Sequence, residues 1–128
     1  MSRGDQVEAE IRVPRGQGAG IDEVGELAAL LEWVRGERGL AGAVREVRLP
    51  PGPGELGGAV EVLAVALGTG GAAGTLARSL FGWLRTRRPN LKVTVTKGAR
   101  SITIEASAVR DGDVLSLLQE ILGAGDGL

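Results

Sequence analysis

Residues 63–80 read LAVALGTGGAAGTLARSL, and the conformation of this stretch decides the fold. A strand-like apolar run, Leu63–Leu67, leads into a glycine-rich loop, and a helix-like pattern follows. Two glycines and an alanine stand at the G-x-G-x-x-A spacing of a dinucleotide-binding fingerprint. The same glycines also fit a long helix that another backbone approaches closely. Residues 59–88 therefore admit three interpretations: one helix, a kinked helix pair, or a strand followed by a helix.

The residues around the glycines do not complete a nucleotide site. A dinucleotide site takes an acidic side chain about twenty residues beyond the glycines to hold the ribose, but no Asp or Glu occurs from Val62 to Ile104. A P-loop takes Lys-Ser or Lys-Thr after its last glycine, and neither follows here. We therefore favour glycines that allow close packing, and nucleotide binding is the alternative. The candidate packing residues are Gly68, Gly70, Gly71 and Gly74. On a continuous helix, Gly70 and Gly74 would extend a row of small residues from Ala66, and Gly68 would extend one from Ala64.

The segments around this stretch have clear strand and helix periodicities. Strands are predicted from alternation at 6–13, 43–49, 91–97 and 101–107, the last two joined as a hairpin. Helices are predicted from apolar residues three and four apart at 21–37, at 75–86 and after Asp111 or Asp113. The predicted order is β-α-β-α-β-β-α.

Every predicted strand has one apolar and one polar side, which is typical of a sheet covered on one face only. We therefore predict an α+β fold, a two-layer sandwich with a four-stranded mixed sheet. Three helices, or four if residues 59–88 form a kinked pair, cover one face. The predicted helix stripes are Ile21, Val24, Leu27, Leu31 and Val34; Leu76, Leu80, Phe81 and Leu84; and Val114, Leu117, Leu118, Ile121 and Leu122.

The composition fits a single compact domain. The chain has 128 residues, of which 43% are hydrophobic, and this is enough to bury one core. We expect one domain over residues 1–128, with an ordered core at 6–123 and a flexible tail at 124–128. The N-terminus has no apolar signal-peptide segment, so we expect a cytoplasmic protein. Residues 62–84 have a membrane-spanning length, but their many small residues make membrane association the less favoured alternative.

Positive charge is concentrated in the middle of the chain. Residues 62–104 carry seven basic and no acidic side chains, although the formal net charge of the whole chain is -1. The candidate contact residues in this segment are Arg85, Arg87, Arg88 and Lys92. No aromatic residue interleaves with them to stack on nucleic-acid bases. We therefore expect them to complement a helix C-terminus or to contact an acidic protein, and nucleic-acid binding is less favoured.

The sequence contains no candidate catalytic centre. Cys and His are absent, which removes thiolate chemistry, zinc-thiolate sites and the commonest general base. The serines lack a histidine partner, and no Ser-x-x-Lys motif occurs. We therefore predict a chain that is not an enzyme and that has no cofactor or metal site.

Three stretches carry a family likeness: PGPGELGG at 51–58, ALGTGGAAGTLARSLFGWLRTRR at 66–88 and KVTVTKGARSITIEA at 92–106. With these three in their order and spacing, residues 7–122 resemble the effector-associated constant component one family of actinobacterial conflict systems.

The resemblance implies a small stand-alone protein encoded beside peptidase effectors, trypsin-like or caspase-like, and regulatory ATPase components. Members of that family are thought to act as an invariant adaptor or regulator, and the family has no catalytic motif. We therefore expect a non-catalytic component of a bacterial defence system. Its expected partners are a protease effector, a regulatory ATPase or a second copy of itself, as a homo-oligomer.

Overall fold

The computed structural model describes residues 8–18, 20–49, 60–68, 71–110 and 113–123. Over these residues the chain forms five strands, three α-helices and a short 3-10 helix. In chain order they are β1 (Glu8–Arg12), α1 (Glu23–Arg35), β2 (Val44–Leu49), β3 (Val60–Ala66), α2 (Ala72–Arg85), β4 (Lys92–Lys97), β5 (Arg100–Glu105), the 3-10 helix (Ala106–Arg110) and α3 (Asp113–Leu122). The PGPGELGG stretch at 51–58, the candidates Gly70 and Asp111, and the predicted tail at 124–128 lie outside the described residues.

The strands form one sheet in the order β2-β3-β1-β4-β5, and each neighbouring pair is antiparallel. Helix α1 connects β1 to β2, two parallel strands that flank β3, and α2 connects β3 to β4, which flank β1 in the same way. This is the split β-α-β arrangement of ferredoxin-like folds, which β5 and α3 extend at one edge. The predicted α+β class is confirmed. The predicted four-stranded mixed sheet was wrong, because the described residues form five antiparallel strands.

The predicted element order was wrong because it lacked β3. This strand takes up the first part of the ambiguous 59–88 segment, and α2 takes up the second part. Leu63 and Val65 join the core beneath the helices, whereas Val62 and Ala64 are buried on the opposite face. A strand that is apolar on both faces lacks the alternation of a half-exposed strand, so periodicity alone did not separate it from a helix.

The main core lies between the helices and one face of the sheet. All three helices contribute to it, with Leu30 from α1, Leu80 and Trp83 from α2, and Leu118 from α3. Two predicted stripe positions were wrong, because Val24 is 68% exposed and Leu117 is 43% exposed. Each lies about a quarter turn from the centre of the buried stripe of its helix, although its spacing suits the stripe.

The other face of the sheet carries an ion pair over small residues. Arg45 Nη1 lies 2.7 Å from Glu8 Oε2, although β3 separates the two strands that carry them. In the sheet register Arg45 opposes Ala64 and Glu8 opposes Ala66, so the pair passes over two methyl groups. The hydrogen bond to Glu8 raises the pKa of Arg45. The small residues of this segment therefore make room for an ion pair rather than for a neighbouring helix.

The structure also bears on the membrane alternative for residues 62–84. Within the described ranges, no helix has both the length and the apolar character needed to cross a bilayer.

Candidate interaction surface

The glycine-rich loop joins the end of β3 to the start of α2. Gly71 is the N-cap residue of α2 and has a φ of 89°, a left-handed conformation that glycine adopts without strain. Gly68 is exposed, and a Cβ built on it would meet no heavy atom within 4 Å. Gly74 lies in the first turn of α2 and is half-buried. The predicted helical rows of small residues do not form, because the residues that would begin them lie in β3.

The strand-loop-helix order matches the dinucleotide fingerprint, but its surroundings differ. The strands beside β3 are antiparallel to it, whereas the fingerprint belongs to a parallel sheet. The strand that follows α2 ends in Lys97, whose Nζ donates a hydrogen bond of 2.9 Å to the carbonyl oxygen of Leu122. Lys97 therefore caps the C-terminus of α3.

Arg87, one of the predicted contact residues, is engaged within the fold. Its Nε lies 3.2 Å from Glu26 Oε1 of α1, and both side chains are largely buried. The two atoms do not form an aligned hydrogen bond, so the pair is held by charge and close contact. The guanidinium carbon also lies 5.1 Å from the centre of the Trp83 ring, within the range of a cation–π interaction. Arg87 thus fastens the segment after α2 to α1.

The structure does not bring the remaining predicted basic residues together. Arg85 is exposed at the end of α2, with its guanidinium carbon 5.8 Å from the centre of the Phe81 ring. Arg88 lies against the loop before α1, since a Cβ on Gly20 would be 3.5 Å from its Nη1. Lys92 begins β4 one residue before the buried Val93, so its side chain lies on the sheet face opposite the helices.

Gln17 ties the loop before α1 to β4. Its side-chain Oε1 accepts from the Lys92 amide at 2.7 Å, and its Nε2 donates to the Lys92 carbonyl at 3.0 Å. The Gln17 backbone N–H donates to Glu23 Oε2 at 3.2 Å, and this bond lowers the pKa of the Glu23 carboxyl. The backbone of Lys92 is therefore part of the loop anchor.

Trp33 crosses from α1 to α2 on the outer side of the helical layer. Its indole Nε1 donates a 3.0 Å hydrogen bond to the backbone carbonyl of Ser79. A Cβ on Gly82 would lie 3.6 Å from Trp33 Cζ2, an ordinary van der Waals distance, so the ring packs beside this residue of α2. Trp33 is still 40% exposed. The indole is thus held by a hydrogen bond and partly exposed to solvent.

Neither Trp33 nor Arg78 was predicted from the sequence as a contact residue. Arg78 and Arg85 are both exposed on α2 and stand seven residues apart, or two helical turns. That spacing, in a segment without any acidic residue, was visible in the sequence and could have marked one face of the helix. Trp33 carried no such signal, because its place depends on how α1 packs on α2.

The comparisons with known proteins agree with the resemblance. Residues 17–122 match the model of the family described as Effector Associated Constant Component 1. No curated protein and no solved structure matches the chain. The matched range runs from the loop before α1 to the end of α3 and includes the glycine-rich segment and the whole of α2. The chain therefore belongs to the Effector Associated Constant Component 1 family.

Proposed function

We propose that this chain is a non-catalytic adaptor that binds the effector of a bacterial conflict or defence system by protein–protein contact in the cytoplasm. Membership of an effector-associated family supports the link to an effector. The effector is proposed to be a protease, trypsin-like or caspase-like, with a regulatory ATPase as a second partner. Both proposed partners come from what the resemblance of the sequence to this family implies.

The observation that carries the proposal is the exposed Trp33 beside an arginine-bearing helix. Trp and Arg are the residue types most enriched among the residues that dominate protein–protein binding energy. Trp33 is 40% exposed in a chain with only three aromatic residues of types Trp and Phe. The sequence also lacks the His and Cys side chains on which most acid–base and nucleophilic catalysis depends. A binding role suits this residue set better than a catalytic one.

The test is to mix the purified chain with the protease and the ATPase encoded beside it, and to measure masses by size-exclusion chromatography with light scattering. We expect a complex whose mass is the sum of this chain and the effector. An unrelated protease of similar size is the control and should elute separately. The chain run alone reports self-assembly in the same experiment. If neither neighbouring protein forms a complex, the adaptor function is wrong.

Nucleotide binding is the second candidate function. It is favoured by one feature, since Gly71 leaves the N-terminus of α2 without a side-chain cap directly after a strand and loop, and such termini attract phosphate groups. Isothermal titration with NADP, ATP and a short oligonucleotide tests it. Saturable micromolar binding of any of these three ligands would favour this function over the adaptor.

A further inference from the structure

We infer that the effector docks on the outer face of α2, on a surface formed by Trp33, Arg78, Gly82 and Arg85, and that it does so with an acidic segment. This inference rests on the proposed adaptor function and names the surface and the chemistry of the partner. We call these four residues the α2 docking surface.

The three α2 residues of this surface lie along one face of the helix. Arg78, Gly82 and Arg85 follow one another at spacings of four and three, so they share one face of the helix. The opposite face, which includes Leu76, Leu80 and Leu84, is buried in the core. The two arginines are about 10 Å apart along the helix axis. The docking surface is therefore a single ridge that points away from the sheet.

This ridge carries two positive charges. Arg78 and Arg85 form no ion pair with any of the described residues, and no acidic residue occurs in the sequence from Val62 to Ile104. Arg85 lies over the Phe81 ring, which limits its motion without neutralising its charge. Two positive charges at fixed spacing favour a partner segment with carboxylates at a matching spacing.

The apolar part of the surface is the ring of Trp33. The indole N–H of Trp33 is already used by the Ser79 carbonyl, so its exposed portion is the apolar ring. Gly82 lies beside the ring, since a Cβ there would be 3.6 Å from Trp33 Cζ2. A fixed aromatic ring with arginines beside it is the composition of a binding hot spot. We therefore expect the acidic segment also to place an apolar side chain against Trp33.

The α2 docking surface differs from the basic cluster expected from the sequence. Arg87 is neutralised by Glu26, and Lys92 lies on the opposite face of the sheet, so neither can join Arg85 in one contact. Of that cluster the α2 docking surface retains only Arg85, and it adds Arg78 and Trp33.

The experiment compares charge-reversal variants in binding to the effector encoded beside this chain. Arg78→Glu/Arg85→Glu should raise the Kd by about tenfold or more, because like charges then meet at the contact. Arg12→Glu/Lys92→Glu is the matched control, since it makes the same change in net charge with exposed residues on the other sheet face. It should change the Kd by less than about threefold. Arg78→Lys/Arg85→Lys keeps the charge and should retain most of the binding.

The outcomes separate this inference from the proposed function. If the wild-type chain binds the effector and Arg78→Glu/Arg85→Glu binds equally well, the docking surface is wrong and the adaptor function stands. Equal losses in this variant and in the control variant would also overturn the surface, because they would reflect net charge alone. If the wild-type chain does not bind the effector, the docking surface is wrong, and the adaptor function is wrong as well if the neighbouring ATPase is not bound either. Unchanged melting temperatures of the variants exclude a folding defect as the cause.

Discussion

The backbone carbonyl and the side-chain hydroxyl of Ser79 differ in their hydrogen bonding. Its backbone carbonyl accepts the indole N–H of Trp33, whereas its buried hydroxyl has no hydrogen-bond partner among the described residues. Burying a hydroxyl without a partner costs about 1–3 kcal/mol. Because Ala keeps the backbone carbonyl, we expect Ser79→Ala to raise the free energy of unfolding by about 1 kcal/mol, as measured by urea denaturation.

Thr86→Ala is the matched control for this change. Thr86 Oγ1 donates a hydrogen bond of 2.7 Å to the carbonyl of Trp83, so its hydroxyl is satisfied at the end of the same helix. Removing it should lower the free energy of unfolding by up to about 1 kcal/mol. A Ser79→Ala variant that is destabilised as much as Thr86→Ala would mean that the Ser79 hydroxyl has a partner after all.

The Glu26–Arg87 pair is the second feature at the residue scale. The side chains are 13% and 28% exposed, so each charge depends on the other for compensation. Removing one partner leaves an uncompensated charge, and we expect Glu26→Leu and Arg87→Met each to lower the free energy of unfolding by about 2 kcal/mol. The double variant should lose less than the sum of the two, because it leaves no unpaired charge. Strictly additive losses in this double-mutant cycle would contradict the coupling.

At the scale of elements, the start of α1 is stabilised by charge. Asp22 caps the helix by accepting from the Gly25 amide at 3.2 Å, and Glu23 accepts from the Gln17 amide. That bond lowers the pKa of Glu23 below its ordinary value of 4.5. The folded state therefore binds fewer protons than the unfolded state in this range, so the contribution of Glu23 is present above pH 4.5 and is lost as the pH falls through the lowered pKa.

We expect the stability difference between the wild-type chain and Glu23→Gln to follow this pH dependence. The wild-type chain should be the more stable one at neutral pH, because the ionised carboxylate also lies near the positive end of the helix dipole. The difference should shrink toward zero as the pH falls well below 4.5. Thermal melts over this pH range measure it. A difference that stays constant into strong acid would show that packing, not ionisation, makes the contribution.

The sequence predicted those elements whose two sides differ in polarity. Strand β1 and the β4–β5 hairpin alternate clearly, and α1, α2 and α3 have apolar stripes, so their existence followed from periodicity. Strand β3 was left as one of three interpretations and did not enter the predicted order, because Val62 and Ala64 are buried on the face that was expected to be polar. That burial coincides with an ion pair between two other strands, a tertiary feature that no local pattern contains.

The candidate site was predictable in its charge and not in its geometry. The acid-free segment from Val62 to Ile104 is a property of the sequence alone, and Arg85 was placed correctly at a helix C-terminus. The burial of Arg87 against Glu26 depends on α1 and α2 packing together across sixty residues of chain. The exposure of Trp33 depends on the same packing.

At the scale of the whole molecule, the two sides of the sheet differ in how their charges are paired. The sheet face away from the helices carries the Glu8–Arg45 pair, which satisfies charges of opposite sign within the sheet. The helical side carries the α2 docking surface, where the arginines of α2 lack carboxylate partners among the described residues. For the proposed adaptor function, this difference favours an acidic partner on the helical side.

The core that supports both sides is continuous, and we propose that the chain unfolds as one domain. Buried residues of α1, α2, α3 and the sheet belong to the same hydrophobic cluster. Leu30 of α1 and Leu118 of α3 are fully buried in it, on the two helices that flank α2.

Leu30→Ala and Leu118→Ala should each lower the free energy of unfolding by about 3 kcal/mol. In both variants the urea transitions followed by tryptophan fluorescence and by far-UV circular dichroism should coincide. The fluorescence reports on α1 and α2, because Trp33 and Trp83 lie in these helices. If Leu118→Ala loses its circular dichroism signal before its fluorescence signal, α3 and β5 unfold separately. The single-domain proposal would then be wrong.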